Sequence, residues 1–208
     1  MSIVKGLLAA AIAYLLGSIN AAILVSKYSF GFDIREHGSG NAGLTNVFRV
    51  LGKKAALVVL LIDVAKGVIS ALLGGWILGK NGQLFAGIFT LVGHIFPLYF
   101  GFKGGKGVLT TAAIMMVYDP VICLICLGVF VLVCVLTRYI SLASILAAIT
   151  LPVGQIFFCR SGFSVAVGLM IMTGILYFHR GNIHRLRAGT EPKFSWNRKK
   201  IDDKQKRH

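Results

Sequence analysis

The sequence predicts an all-α, polytopic membrane protein with seven transmembrane helices and a short interfacial helix after the first span. Three observations predict it. Of 208 residues, 56% are hydrophobic and only 14% are charged, against about 25% charged in a soluble domain. The apolar residues are gathered into runs approaching the roughly 20 residues that a helical span needs. The Lys and Arg residues fall almost wholly on one side of those runs, as the positive-inside rule requires of short loops. This composition excludes a soluble globular domain, a disordered chain and a small disulfide scaffold.

The runs are 3–25, 55–79, 83–101, 108–118, 121–137, 141–158 and 162–178, the fourth being short. Lys80-Asn81-Gly82, Gly101 to Gly107, Asp119-Pro120, Arg138-Tyr139 and Arg160-Ser161-Gly162 separate the later ones. The first run is too long, and its C-terminal flank wrong, for a cleaved signal peptide. With the N-terminus outside, 18 Lys and Arg residues fall inside, three (Lys5, Lys80 and Arg160) fall outside, and Lys66 lies within a span. The expected orientation is therefore N-terminus out, C-terminus in. One membrane domain is expected over 1–193, followed by a basic cytoplasmic tail over 194–208.

A net charge of +15 would ordinarily suggest nucleic acid. Here the cations lie between spans and in the tail, so nucleic acid is set aside. Anionic lipid and a phosphate-bearing substrate suit the same charge. Cys123 and Cys126 have CxxC spacing, but no second pair and no nearby His completes a metal site. Together with Cys134 and Cys159 they read as packing residues.

Three inside segments could carry chemistry. In Gly38-Ser39-Gly40-Asn41, two glycines free the backbone to turn N–H groups towards an anion, at the start of a helix whose dipole adds to the attraction. That helix is predicted from Leu44, Val47, Phe48 and Leu51, an i, i+3, i+4, i+7 apolar stripe, with Thr45, Arg49 and Lys53 on another face. Asn41 is its expected N-cap. Arg49 can hold two phosphate oxygens through its planar fork. The second segment, Gly101-Phe102-Lys103-Gly104-Gly105-Lys106-Gly107, repeats this physics before the helix opening at Val108. It is no Walker A loop, since neither the glycine spacing nor a Ser or Thr directly after the Lys fits. Both loops are read as phosphate-binding, with Lys103 and Lys106 as cations. The third segment begins at His179 and Asn182, which share a face if the last helix continues. His179 is open to reading as a base, a phosphate ligand, or part of a solvated basic end.

Within the spans, Asp63 and Lys66 are i, i+3. An unpaired charge at a helix centre costs about 2.5–3.5 kcal/mol on insertion scales, so a structural ion pair facing the bundle interior is expected. His94 reads as a hydrogen-bonded packing residue. Ser141 opens the sixth span on the inside and could reach the site, whereas Ser144 reads as a small helix-packing residue. No GxSxG elbow is present, nor an HxxxxD box, nor an acidic metal cluster. The site is cationic and glycine-lined, without a visible strong base.

Gly17 to Asn20, Gly38 to Asn41, Arg49 to Lys53, Asp63 to Gly67, His94 to Gly107 and His179 to Glu191 occur in an order and spacing that resembles the PlsY family. These are membrane-integral bacterial glycerol-3-phosphate acyltransferases that use acyl phosphate as donor. The resemblance covers the chain up to Lys193. It implies seven helices, a bacterial cytoplasmic (inner) membrane location, a cytoplasmic-side site and synthesis of lysophosphatidic acid, with no metal or bound cofactor. By matching position it implies that Ser39 and Arg49 are essential, that Gly104, Gly105, Lys106 and Gly107 bind phosphate, that His179 and Asn182 are functional, and that Glu191 is structurally important. Leu44 and Leu109 stand where the family usually has Ala, and Phe178 where it commonly has Arg; the leucines are expected to narrow the acyl groove. The alternative class is a transporter or channel for a phosphorylated anion, which glycine-broken helices and cations would also suit. Clustering of the candidate residues on one side argues against it. Acyl phosphate, glycerol 3-phosphate and the bilayer are the expected partners.

Overall fold

The computed structural model describes residues 2–158 and 160–195. Cys159 and the tail from 196 onward lie outside the described residues, so the readings made for them have no structural counterpart. The described residues form α1 (Ile3–Ser18), α2 (Ala21–Phe30), α3 (Leu44–Val50), α4 (Lys53–Leu78), α5 (Lys80–Ile95), α6 (Val108–Tyr118), α7 (Pro120–Thr137), α8 (Ile140–Phe157), α9 (Gly162–Phe178) and α10 (Arg180–Arg187). Short 3-10 turns lie at Ile34–Glu36 and Leu98–Phe100. Among the described residues five segments are long and apolar enough to cross a membrane: Ile3–Phe30, Lys53–Leu78, Lys80–Phe100, Pro120–Thr137 and Ile140–Phe157. A sixth is obtained if α9 and α10, bent by 59° at His179, count as one. The eleven residues of α6 rise only about 16 Å at 1.5 Å each.

Small residues let the helices approach. On α1, a Cβ at Gly17 would strike the backbone of Thr90 on α5, and one at Gly93 would meet Ser18 N at 2.8 Å. On α4 and α5, Gly74 and Gly82 face each other with equally little room. Lipid tails are as apolar as the side chains, so such backbone contact supplies the dispersion that burial alone cannot. Outward-facing leucines and valines such as Leu57, Leu61, Val135 and Leu136 remain exposed on the bundle, where lipid would cover them.

The first span is carried by two helices, α1 and α2, within the single segment Ile3–Phe30. The chain breaks at Ile19–Asn20, where Asn20 Oδ1 accepts the Ile23 N–H at 3.1 Å and starts α2. The break frees the Ile19 carbonyl in the bundle interior, and the Lys66 ammonium donates to it at 3.0 Å. The same ammonium meets Asp63 Oδ1 at 2.7 Å and His94 Nδ1 at 2.9 Å. The pair read from i, i+3 spacing is present, and it also ties α4 to α5 and to the α1–α2 break. All three side chains are buried, so the ammonium is compensated by one ion pair and two hydrogen bonds and not by water.

The fold leaves the two ends of the bundle different. At one end, Asp119 pairs with Arg160 at 2.7 Å and Lys80 lies over the Tyr118 ring, closing the α4–α5, α6–α7 and α8–α9 turns together. At the other end the 31–43 loop, α3, the 101–107 loop, Ser141 and the segment after α9 converge on one cavity.

Asp63→Asn keeps the shape but leaves Lys66 without its counter-charge. Breaking one partner of a buried pair costs about 3–5 kcal/mol, so folded yield and the thermal midpoint in detergent are expected to drop. A variant as stable as the parent in a thermal-shift assay would contradict this role.

Candidate functional site

The site is a cavity of about 1000 Å³ opening at the end of the bundle where α3, α6, α8 and α10 meet. Its polar part carries Ser39, Arg49, Lys106, Ser141, His179, Asn182, Arg185 and Glu191; its apolar part runs between α6, α7 and α8 past Met115, Phe130, Ala148 and Leu151.

The first loop is built around a residue that sequence reasoning passed over. Asn46 is almost fully buried. Its Nδ2 donates to the carbonyls of Ile34 at 3.2 Å and His37 at 2.9 Å, and its Oδ1 accepts the Ser39 N–H at 2.9 Å. One amide therefore fixes the Gly38–Gly40 turn, and Gly38 and Gly40 take the left-handed φ of 63° and 71° that the turn requires. An Asn within a predicted apolar helix stripe was the available signal. The α3 stripe is as predicted, with Val47 buried and Leu44 and Phe48 packed against the same cluster. Its start differs: Gly43, not Asn41, is the N-cap. Asn41 instead lines the cavity with Gly38, Ser39 and Arg49. Arg49 is exposed and has no acidic partner among the described residues.

The second loop works differently from the expected cradle of free amides. Gly104 N–H donates to Ile95 O at 2.9 Å and Gly105 N–H to His94 O at 3.1 Å. Both glycines seal the loop onto the end of α5: a Cβ on Gly104 would meet Pro97 Cδ at 2.8 Å, and one on Gly105 would meet Ala42 O at 2.8 Å. Their amides are thus spent on α5 carbonyls. Lys106, Gly107, Val108 and Leu109 line the cavity, so this loop presents an ammonium and the N-terminus of α6. Neither Lys103 nor Gly40 lines it, and the Lys103 carbonyl accepts from Arg35.

Lys106 is held by a chain of polar side chains. Its ammonium donates to Asn182 Oδ1. Asn182 Nδ2 donates to Glu191 Oε1 at 2.6 Å, and Arg185 Nε donates to Glu191 Oε2 at 2.7 Å. Burial alone would raise the Glu191 carboxyl; hydrogen bonding from Asn182, Ser141 and Arg185 outweighs it and holds the carboxyl below its usual range. Ser141 Oγ nevertheless makes no hydrogen bond of standard geometry, which leaves this hydroxyl available to the cavity. His179 sits where α9 ends. Its Nδ1 lies 2.8 Å from Ile175 O. A carbonyl only accepts, so Nδ1 carries the proton and Nε2 keeps its lone pair. Burial and then the nearby Lys106 charge push His179 down to about 4, so the ring is neutral near pH 7. Among the described residues no group of three or more His, Cys, Asp or Glu could hold a metal ion. Asp63, read as half of a structural ion pair, and His94, read as a packing residue, also reach the cavity wall.

The fold and the site together define a multi-pass membrane protein that sets cations and a helix N-terminus beside an apolar groove, the arrangement that suits a substrate with a phosphate head and a hydrocarbon chain. Comparison with known proteins narrows the class. The pattern of the glycerol-3-phosphate acyltransferase family matches residues 7–189. The chain is 45% identical to the glycerol-3-phosphate acyltransferase of Thermoanaerobacter sp. (strain X514), over 89% of this chain and 94% of that one. It is 40% identical to that of Bacillus subtilis (strain 168), over 89% and 95%. The crystal structure of the integral membrane glycerol 3-phosphate acyltransferase PlsY in its glycerol 3-phosphate form superposes with a TM-score of 0.87 at 38% identity, covering 91% of this chain and 96% of that one. Its lysophosphatidic acid form gives 0.84 at 37%, covering 92% and 96%. The chain belongs to the PlsY family of membrane-integral glycerol-3-phosphate acyltransferases.

Burial lowers Lys106 to about 8, with Glu191 opposing the shift and Arg185 adding to it. Below that pH the ammonium is charged and attracts phosphate; above it the charge is lost. Since kcat/KM reports the free enzyme, it is expected to fall as pH rises through about 8. Arg does not titrate in this range, so Lys106→Arg should move that limb out of the accessible range. An unchanged alkaline limb in Lys106→Arg would assign it elsewhere.

Proposed function

We propose that the protein transfers an acyl group from acyl phosphate to a hydroxyl of glycerol 3-phosphate, forming lysophosphatidic acid and inorganic phosphate, the first acylation of phospholipid synthesis. The observation that carries the reading is the meeting of Arg49, Lys106 and the α6 N-terminus at the mouth of an apolar groove. Two phosphates need neutralising beside one hydrocarbon chain, and this cavity has parts for both. From Ser141 to Leu151, both lining the groove, α8 rises about 15 Å, room for a long stretch of acyl chain. Leu44, Leu109 and Phe178 also line the cavity, so these departures from the family pattern bear on chain-length preference.

Acyl phosphate is a mixed anhydride with a good leaving group, so orientation and charge neutralisation matter more than a strong nucleophile. The glycerol oxygen forms the new ester bond, the acyl carbon–phosphate oxygen bond breaks, and phosphate leaves with the electron pair. Arg49 binds one phosphate through its fork and Lys106 the other as a point charge. The Ser39 and Ser141 hydroxyls supply further donors. His179 Nε2 accepts a hydrogen bond from the attacking hydroxyl and aims it. With its pKa near 4, His179 is a weak base, and a substrate phosphate oxygen takes the hydroxyl proton. Asn182, between Lys106 and Glu191, keeps the ammonium aimed into the cavity.

The topology belongs to the same proposal: seven crossings of a bacterial cytoplasmic membrane, N-terminus outside, C-terminus and site on the cytoplasmic side. The odd crossing number is supported by α6, which, though short, runs from the Lys106 end of the bundle to the Asp119–Arg160 end. The positive-inside asymmetry supports a cytoplasmic position for the Lys106 end.

Purified protein in detergent, given acyl phosphate and glycerol 3-phosphate, is expected to release phosphate and lysophosphatidic acid in equal amounts. Acyl-CoA and acyl carrier protein should not support turnover, because the chain lacks the HxxxxD box of thioester-dependent acyltransferases. Comparable rates with acyl-CoA would overturn the donor assignment.

A further inference from the structure

We propose that Arg35 is a positioning residue that fixes the spacing between the Ser39 loop and the Lys106 loop, and thereby the placement of acyl acceptor against acyl donor. Arg35 lies in the 3-10 turn Ile34–Glu36, four residues before Ser39. Asp33 opens that turn and grips Arg35 three times. Its Oδ1 accepts from Arg35 N at 3.0 Å and from Nε at 2.9 Å, and its Oδ2 accepts from Nη2 at 2.7 Å. This two-pronged pairing orients the planar guanidinium and leaves Nη1 facing the second loop. Nη1 donates to Phe100 O at 2.7 Å and to Lys103 O at 3.0 Å.

Those two carbonyls bracket a sharp turn in which Gly101 and Phe102 both take left-handed φ, 69° and 59°. The Phe102 conformation disfavours a residue with a side chain by about 1–2 kcal/mol. Arg35 thus grips the second loop at its most strained point, three residues before Lys106. The first loop is firmly seated on its own side: Ile34 is fully buried and its N–H donates to Ser26 Oγ on α2 at 3.1 Å. Lys27 adds a second cation to Asp33 at 3.1 Å. The Arg35 hydrogen bonds lead in holding the Asp33 carboxyl well below its usual range, against the opposing effect of burial, so the clamp stays charged across any working pH.

Sequence reading counted Arg35 only as an inside charge. Arg35 does not line the cavity, so it acts through the loops and not on substrate. The inference rests on the reading that the two loops hold separate substrate phosphates. A reacting pair must sit about 3–3.5 Å apart, and a misplacement of about 1 Å costs around 100-fold. If each loop keeps its own phosphate, loosening the clamp changes how the substrates meet and not how each binds.

The test is steady-state kinetics of Arg35→Lys and Arg35→Ala in detergent, with folded fraction monitored by size-exclusion profile. Lysine retains a charge for Asp33 but cannot pair with it and reach both carbonyls. For Arg35→Lys, kcat is expected to fall about 10–100-fold with each KM within about threefold of the parent. Millimolar guanidinium should restore part of the kcat lost in Arg35→Ala, which a global folding defect would not allow. A kcat within about twofold of the parent, a loss carried by either KM, or no rescue of Arg35→Ala would overturn the proposal. The ratios are taken with whichever donor the parent enzyme uses. Failure of acyl phosphate in the parent therefore overturns the donor assignment alone, and the Arg35 comparison still decides the clamp.

Discussion

The buried Lys66 ammonium is the contact on which the rest of the bundle depends. A charge in that position is tolerable only where it is paired and hydrogen-bonded, and here the partners come from three places: the Asp63 carboxylate on α4, His94 on α5 and the Ile19 carbonyl at the α1–α2 break. The break would otherwise expose an unpaired carbonyl in the bundle interior, which lipid could not satisfy. Lys66 therefore permits α1 to end and α2 to start within the one span Ile3–Phe30. From α2 the chain continues into the 31–43 loop and α3, where Ser39 and Arg49 sit. The same His94 presents its carbonyl to Gly105, so the Lys106 loop rests on the same junction.

The site itself separates charge placement from charge neutralisation. Arg49 is exposed with no acidic partner among the described residues, whereas Lys106 is held by Asn182, which Glu191 holds in turn. In the proposed reaction such a fixed ammonium costs no reorganisation when charge develops on the leaving phosphate. Arg185 shares Glu191 with Asn182, so this carboxylate steadies two cavity residues together. His179, neutral and with its Nδ1–H committed to Ile175 O, offers a lone pair for orientation at little cost in charge. The arrangement suits chemistry in which the substrate brings its own activation and its own proton acceptor.

Much of this was legible in the sequence because it is local. Apolar runs located the helices, the Leu44–Val47–Phe48 stripe located α3, and i, i+3 spacing paired Asp63 with Lys66. Asymmetry of Lys and Arg put the Ser39, Lys106 and His179 segments on one side, and they line one cavity. What was not legible depends on partners distant in sequence. Asn20 looks like a lone polar residue inside the first run until the Lys66 ammonium, 47 residues on from Ile19, is seen to donate to the carbonyl that the break frees. Gly104 and Gly105 look like free anion-binding amides until the carbonyls of His94 and Ile95 claim them. Asn46 reads as one polar residue in a short helix, and only the fold shows its amide holding three backbone groups. Asn41 has the right chemistry for a cap, but the helix starts after Gly43 and releases it to the cavity.

The central claim is that one cavity holds two phosphates and an acyl chain in reacting geometry. The most direct measurement is a structure with glycerol 3-phosphate and an unreactive acyl phosphonate bound together. One phosphorus group is expected on Arg49, the other on Lys106, and the chain between α6 and α8 with the glycerol hydroxyl beside His179 Nε2. A phosphorus group bound away from both cations, or a chain lying outside that groove, would contradict it.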